Sequence, residues 1–152
     1  MSETVKLYGI NKLRETLVVA ESTRRSMQSN RSKDTKPELA LRAALWQAGL
    51  RGYRKNVRSL PGTPDVVFGR ARLAVFVHGC FWHGHGCGKA KTPTQNRAFW
   101  LAKVELNQQR HERHLAELAG RGYRTLTVWE CELGSDPVAV LGRIKESLEA
   151  AV

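Results

Sequence analysis

The stretch LPGTPDVVFGRARLAVFVHGC, residues 60 to 80, decides the fold. A Pro-Gly-Thr-Pro turn leads into DVVF, 65 to 68. After Gly69-Arg70-Ala71 comes a second apolar run, RLAVFV, 72 to 77. Both runs are rich in β-branched and aromatic residues and are bounded by turn formers, so they read as two short strands paired in a hairpin.

Helical signals flank the hairpin. Upstream, Thr35 and Glu38 form a T-x-x-E capping box with Pro37 in the first turn, and Leu41, Ala44, Leu45 and Ala48 follow at helical spacing before Gly49. This predicts a helix over 36–48. Downstream, Trp100, Val104, His111, Leu115 and Leu118 recur near one stripe of a helix expected over 95–119, which Gly120-Arg121-Gly122 ends. The segment YRTLTVWE, 123 to 130, reads as a third strand. Asp136-Pro137 opens a last helix carrying Leu141, Ile144 and Leu148. Strands interleaved with helices predict an α/β fold with a mixed sheet.

The chain has 152 residues, enough for one domain with a single core. Its 25 Lys and Arg against 14 Asp and Glu give a net charge of +11. Such an excess favours polyanions, because phosphate contacts release condensed counterions. Three cysteines argue against a disulfide framework, since an odd count leaves one unpaired, and point to a reducing, cytoplasmic setting. The N-terminal stretch has scattered charges and no apolar run longer than LVVA, so neither a signal peptide nor a membrane partner is expected. Residues 21 to 33, ESTRRSMQSNRSK, read as a mobile basic arm in which Met27 is the one large apolar side chain.

Cys80, His85 and Cys87 follow a C-x4-H-x-C spacing, and Cys131 directly follows the third strand. Three thiolates and one imidazole make a closed, tetrahedral structural Zn2+ site. The competing reading is that the cysteines are buried apolar residues; His83 is an alternative ligand to His85. Phe81 and Trp82 lie in the same loop. They are either core residues or an apolar wedge that enters between base steps.

Asp65 follows a rigid turn at a strand start, a placement that fixes a carboxylate. A Mg2+ held there takes a backbone carbonyl, that of Val77, with water and phosphate oxygens completing its shell. His78 and His83 remain after the zinc count. One can activate water while the other donates to a phosphate oxygen or the leaving group.

The run HGCFWH (His78 to His83), with LPGTPD (Leu60 to Asp65), WEC (Trp129 to Cys131) and the Arg25 to Thr35 entry, resembles the very-short-patch repair (Vsr) endonucleases over about residues 22 to 134. The resemblance implies a restriction-endonuclease-like fold: a mixed central sheet flanked by helices, with a structural zinc site. It implies a Mg2+-dependent enzyme that nicks double-stranded DNA beside the thymine of a T:G mismatch left by deamination of 5-methylcytosine. Carried onto this chain, it makes Asp65 and the Val77 carbonyl the Mg2+ ligands, with His78 and His83 serving the hydrolysis and Glu38 an accessory role through water. It makes Cys80, His85, Cys87 and Cys131 the Zn2+ ligands, and Met27, Phe81 and Trp82 the DNA wedge.

The chain departs from the family pattern in having Val77 where a threonine is common, and His111 where an aspartate faces a catalytic histidine. Gly84 and Gly86 stand where the family has histidines that are not ligands, a change from which little is expected to follow. The expected organisation is a disordered extension over 1–21, a DNA-contacting arm over 22–34 and an endonuclease domain over 35–152. The protein is expected to act as a monomer, with other mismatch-repair proteins as further partners. Two rival readings are a zinc-stabilised DNA-binding module that has lost catalysis and a restriction-type enzyme that cuts both strands.

Overall fold

A computed structural model describes residues 9–12, 25, 33–88 and 91–151. Helix α1 (Lys36–Gln47) precedes strands β1 (Arg54–Lys55), β2 (Val66–Phe68) and β3 (Leu73–His78). Then come the long helix α2 (Arg97–Gly120), β4 (Arg124–Trp129), the short α3 (Glu130–Ser135) and α4 (Pro137–Glu149). The sheet order is β1-β2-β3-β4. The β1–β2 and β2–β3 pairs are antiparallel, whereas β3 and β4 run parallel, as two strands joined through a long helix can. The mixed sheet flanked by helices agrees with the sequence reading.

Period-2 alternation along β3 sorts its side chains between two layers. Leu73 and Val75 face a core built with Leu41 and Leu45 of α1, Leu133 of α3, and Val140 and Ile144 of α4. Ala74 and Phe76 face the other way, onto Leu118 of α2. β3 is therefore apolar on both faces, which is why it reads as a continuous run rather than an alternating one.

Several boundaries differ from expectation for local reasons. Asp65 lies outside β2, and Arg72 has φ +48, so β3 begins at Leu73 and not at 72. Thr35 and Glu38 do not form a reciprocal capping box. The Glu38 carboxylate instead accepts the Asp34 amide at 2.8 Å and the Thr35 hydroxyl at 3.1 Å, and Thr35 makes no side-chain cap. β1 and α3 were not anticipated: β1 is two exposed residues, and α3 follows β4 with no intervening breaker. Asp136 does cap α4, its Oδ1 accepting the Ala139 amide at 3.0 Å.

The proposed 1–21 extension and 22–34 arm, with Met27, lie mostly outside the described residues. Within them, residues 9–12 are helical and Ile10 is buried. Among the described residues, no helix is long and apolar enough to cross a membrane.

Candidate active site and metal centre

The cavity that gathers the polar residues lies beside the C-terminal end of β3. It measures about 640 Å³, and its lining includes Glu38, Asp65, Val77, His78, His83 and His111. Asp65 is held there from two directions. Its amide donates to Val75 O at 3.0 Å, and its Oδ2 accepts the Val77 amide at 2.7 Å. The N–H and C=O of one strand residue project to the same side, so the Val77 carbonyl leaves β3 toward Asp65. The Val77 side chain packs against the α1, α3 and α4 core, so only its backbone is offered to the Asp65 side.

Upstream of Asp65, the Pro-Gly-Thr-Pro turn leans on α2. Gly62 has φ +74, and a Cβ there would meet His114 Cβ at 3.0 Å, so glycine fits both the backbone and the space.

Burial pushes the Asp65 carboxyl up to about 7; the Val77 amide opposes this, and nearby Glu38 adds to it. Glu38 itself is 6% exposed. Two carboxylates sharing a desolvated cavity call for a compensating cation. The donors at hand are carboxylate and carbonyl oxygens, which suit a hard divalent ion such as Mg2+.

His78 is the last residue of β3 and points to the α2 side, as Phe76 does. Its ring stacks on His83, centroids 3.6 Å apart and 5° from parallel, and His111 meets it edge-on at 4.1 Å. Burial lowers His78 to about 2 and His83 to about 4, with their neighbouring imidazoles adding to the shift. His111 is lowered as well, chiefly by burial. Its Nε2 lies 3.3 Å from Thr127 Oγ1 on β4, so a hydroxyl, not a carboxylate, is the partner of this imidazole. Among the described residues, no hydrogen-bond partner reaches the buried Nδ1 of His78, His83 or His114. Neutral rings with unengaged nitrogens are the state that can accept a proton.

The turn after β3 carries the second cluster. Cys80, His85, Cys87 and Cys131 bring their ligand atoms within 4.8 Å of one another, and Cys131 Sγ lies 3.5 Å from His85 Nδ1. No disulfide joins any of the three cysteines among the described residues. A zinc ion about 2.3 Å from each sulfur holds its ligand atoms roughly 4 Å apart, so the cluster is of the right size. Burial pushes the Cys80 thiol up to about 11, a cost that a bound cation removes by holding the thiolate. The cluster can thus hold a metal ion such as zinc. His85 also stacks on Trp129 at 4.2 Å. His83, the alternative ligand, is instead in the imidazole stack.

The same turn is clamped onto α2. Asn107 and Gln108 donate to the carbonyls of Trp82 and His83, both at 2.9 Å. Gly84 has φ +62, and a Cβ there would lie 2.6 Å from Val104 Cγ1. Glycine at position 84 therefore has a consequence where little was expected to follow from it: it permits this approach. Phe81 and Trp82 are half-buried, their rings 5.5 Å and 6.0 Å from Trp100. Trp82 lines a groove of about 650 Å³ that shares Glu38 and Val77 with the first cavity. Of the predicted wedge, Met27 lies outside the described residues.

Sequence reasoning missed Arg58, Asn107, Arg110 and His114, which also line the main cavity. Three of them sit on α2 among residues read only for their apolar stripe. A polar residue every third or fourth position along the segment, at 107, 110, 111 and 114, was the signal that could have found them.

Residues 18–89 match the sequence profile of the family described as DNA mismatch endonuclease Vsr. A type II nicking enzyme of Xanthomonas oryzae pv. oryzae, V.XorIIP, is 46% identical over 129 residues, 85% of this chain and 93% of the relative. The Neisseria meningitidis nicking enzyme V.NmeAIP is 41% identical over 80% of this chain and 87% of its own length. The DNA mismatch endonuclease Vsr of Escherichia coli is 40% identical over 72% of this chain and 69% of its own. With a mixed sheet presenting a carboxylate and paired imidazoles beside a Cys/His cluster, the chain belongs to the Vsr family of DNA mismatch endonucleases.

Proposed function

We propose that the protein is a Mg2+-dependent, strand-specific endonuclease that nicks duplex DNA beside the thymine of a T:G mismatch, the product of 5-methylcytosine deamination. The observation that carries this reading is the convergence of Asp65, the Val77 carbonyl direction and the His78–His83 stack on one cavity, which adjoins the groove bearing Trp82.

Asp65 and the Val77 carbonyl would hold the ion, with Glu38 contributing through water. When bound, Mg2+ polarises the phosphate and lowers the pKa of a coordinated water. One imidazole of the stack accepts the proton of the attacking water. Its neighbour, 3.6 Å away, cannot carry a second positive charge at that distance. The neighbour therefore stays neutral and donates its N–H to a phosphate oxygen or the leaving oxygen. His111 and Thr127 close the back of the pair. Cys80, His85, Cys87 and Cys131 would hold structural zinc, which would tie the turn after β3 to the start of α3.

Phe81 and Trp82, with Met27 of the arm, form the wedge. Unstacking a base step costs a few kcal/mol and less at a wobble pair, so the wedge favours T:G over matched DNA while the +11 charge binds any duplex.

Single-turnover cleavage of end-labelled T:G and matched duplexes with Mg2+ tests the reading. One cut, in the thymine strand of the mismatched duplex alone, is expected. Cleavage of both strands of a matched site supports a restriction-type enzyme, and binding with no cleavage a DNA-binding module.

A further inference from the structure

The family match begins at residue 18, yet a helical segment ahead of it, residues 9–12, seats one side chain in the protein. Ile10 is 8% exposed, while Gly9, Asn11 and Lys12 face solvent. Its cluster consists of Phe99, Trp100 and Leu106 on α2, and Phe81 and Trp82 pack against the same cluster.

The rings form a continuous series. Phe99 meets Trp100 edge-on at 5.0 Å, Trp100 meets Phe81 at 5.5 Å and Trp82 at 6.0 Å, and Phe81 and Trp82 meet at 5.0 Å. Lys103 Nζ spans the two ends, 5.7 Å from the Phe99 ring centroid and 5.4 Å from that of Trp82.

From this packing we infer that Ile10 is a positioning residue for mismatch recognition: the N-terminal segment backs the aromatic cluster on which Phe81 and Trp82 rest. The inference rests on the wedge reading above. An apolar side chain driven between base pairs transmits load to whatever lies behind it, and close-packed interiors pass strain on with little compression. Removing Ile10 leaves a void next to Phe99 and Trp100, into which those rings can shift. Trp82 then yields when it meets a stacked base step. The loss falls on the step that separates T:G from matched DNA, since phosphate contacts are indifferent to the mismatch.

The test compares the parent, Ile10→Ala, Ile10→Val and a chain lacking residues 1–12. Each is measured for affinity to T:G and matched duplexes at one salt concentration, for thermal midpoint and for zinc content. Ile10→Ala and the truncation should lose about fivefold to tenfold of the T:G preference, part of one stacking contact. Matched-duplex affinity and zinc content should hold, and Ile10→Val should recover most of the preference. Two results overturn the inference: unchanged preference in Ile10→Ala and the truncation, or losses on both duplexes in proportion to a fallen thermal midpoint, which makes Ile10 a core residue only. A parent that itself shows no T:G preference overturns the wedge reading and this inference with it.

Discussion

The imidazoles of His78 and His83 lie face to face, 3.6 Å between centroids and 5° from parallel, one from the end of β3 and the other from the turn beyond it. Rings so placed act as a unit. His78→Ala and His83→Ala should each slow single-turnover nicking by about 10²–10⁴-fold, the range of a general acid–base contribution. The double variant should be little slower than the worse single one. Multiplicative losses in the double variant would mean that the two rings act independently.

Asp65→Asn removes the charge while keeping a group that can reach the Val77 amide. Nicking should become undetectable, with T:G affinity measured without Mg2+ staying within a few-fold of the parent, because the carboxylate serves the ion and the transition state. Equal losses of binding and cleavage would instead make Asp65 a structural residue.

Protein purified without chelators should carry about one zinc per chain. Cys131→Ala should lose the metal and lower the thermal midpoint sharply, because metal binding in such a site is coupled to folding. Metal analysis by mass spectrometry reads the first, and a melting curve the second.

Gly84→Ala places a Cβ 2.6 Å from Val104 Cγ1 and 2.7 Å from Gln108 Nε2, on backbone at φ +62. Overpacking and the left-handed conformation together should cost about 1–3 kcal/mol in denaturant unfolding. Val104→Ala on top of it should recover only part of this, since the backbone strain remains.

His111 lies below the ordinary 6.5 because burial disfavours its cation; His114 adds to the shift and Glu112 opposes it. His78 and His83, also depressed, meet its ring edge-on. A base with a depressed pKa binds fewer protons folded than unfolded. Its contribution to stability is therefore present above 6.5 and is lost as pH falls from there through the folded value. Thermal midpoints should drop between pH about 7.5 and about 5, and His111→Asn should flatten that slope. Parallel slopes in parent and variant would remove His111 from the account.

The sequence alone determined what depends on near neighbours. The β-branched runs around Gly69-Arg70-Ala71 fixed β2 and β3, Asp136-Pro137 fixed the start of α4, and the C-x4-H-x-C spacing with Cys131 named a quartet that does converge. Each is a pattern of spacing and backbone preference within a few residues, except Cys131, betrayed by its place at a strand end. The parallel register of β3 with β4 was decided only by the tertiary structure; it sets Val77 beside Val128 and His78 beside Trp129. So was the lie of α2 across that face, which carries His111 and His114 to the cavity. Periodicity says which face of an element is buried, but not which element it meets. Glu38 comes near Asp65, His78 stacks on His83, and Ile10 joins the cluster of Phe99 and Trp100 because separate layers close over one another, and that closure is set by packing distant parts of the chain together.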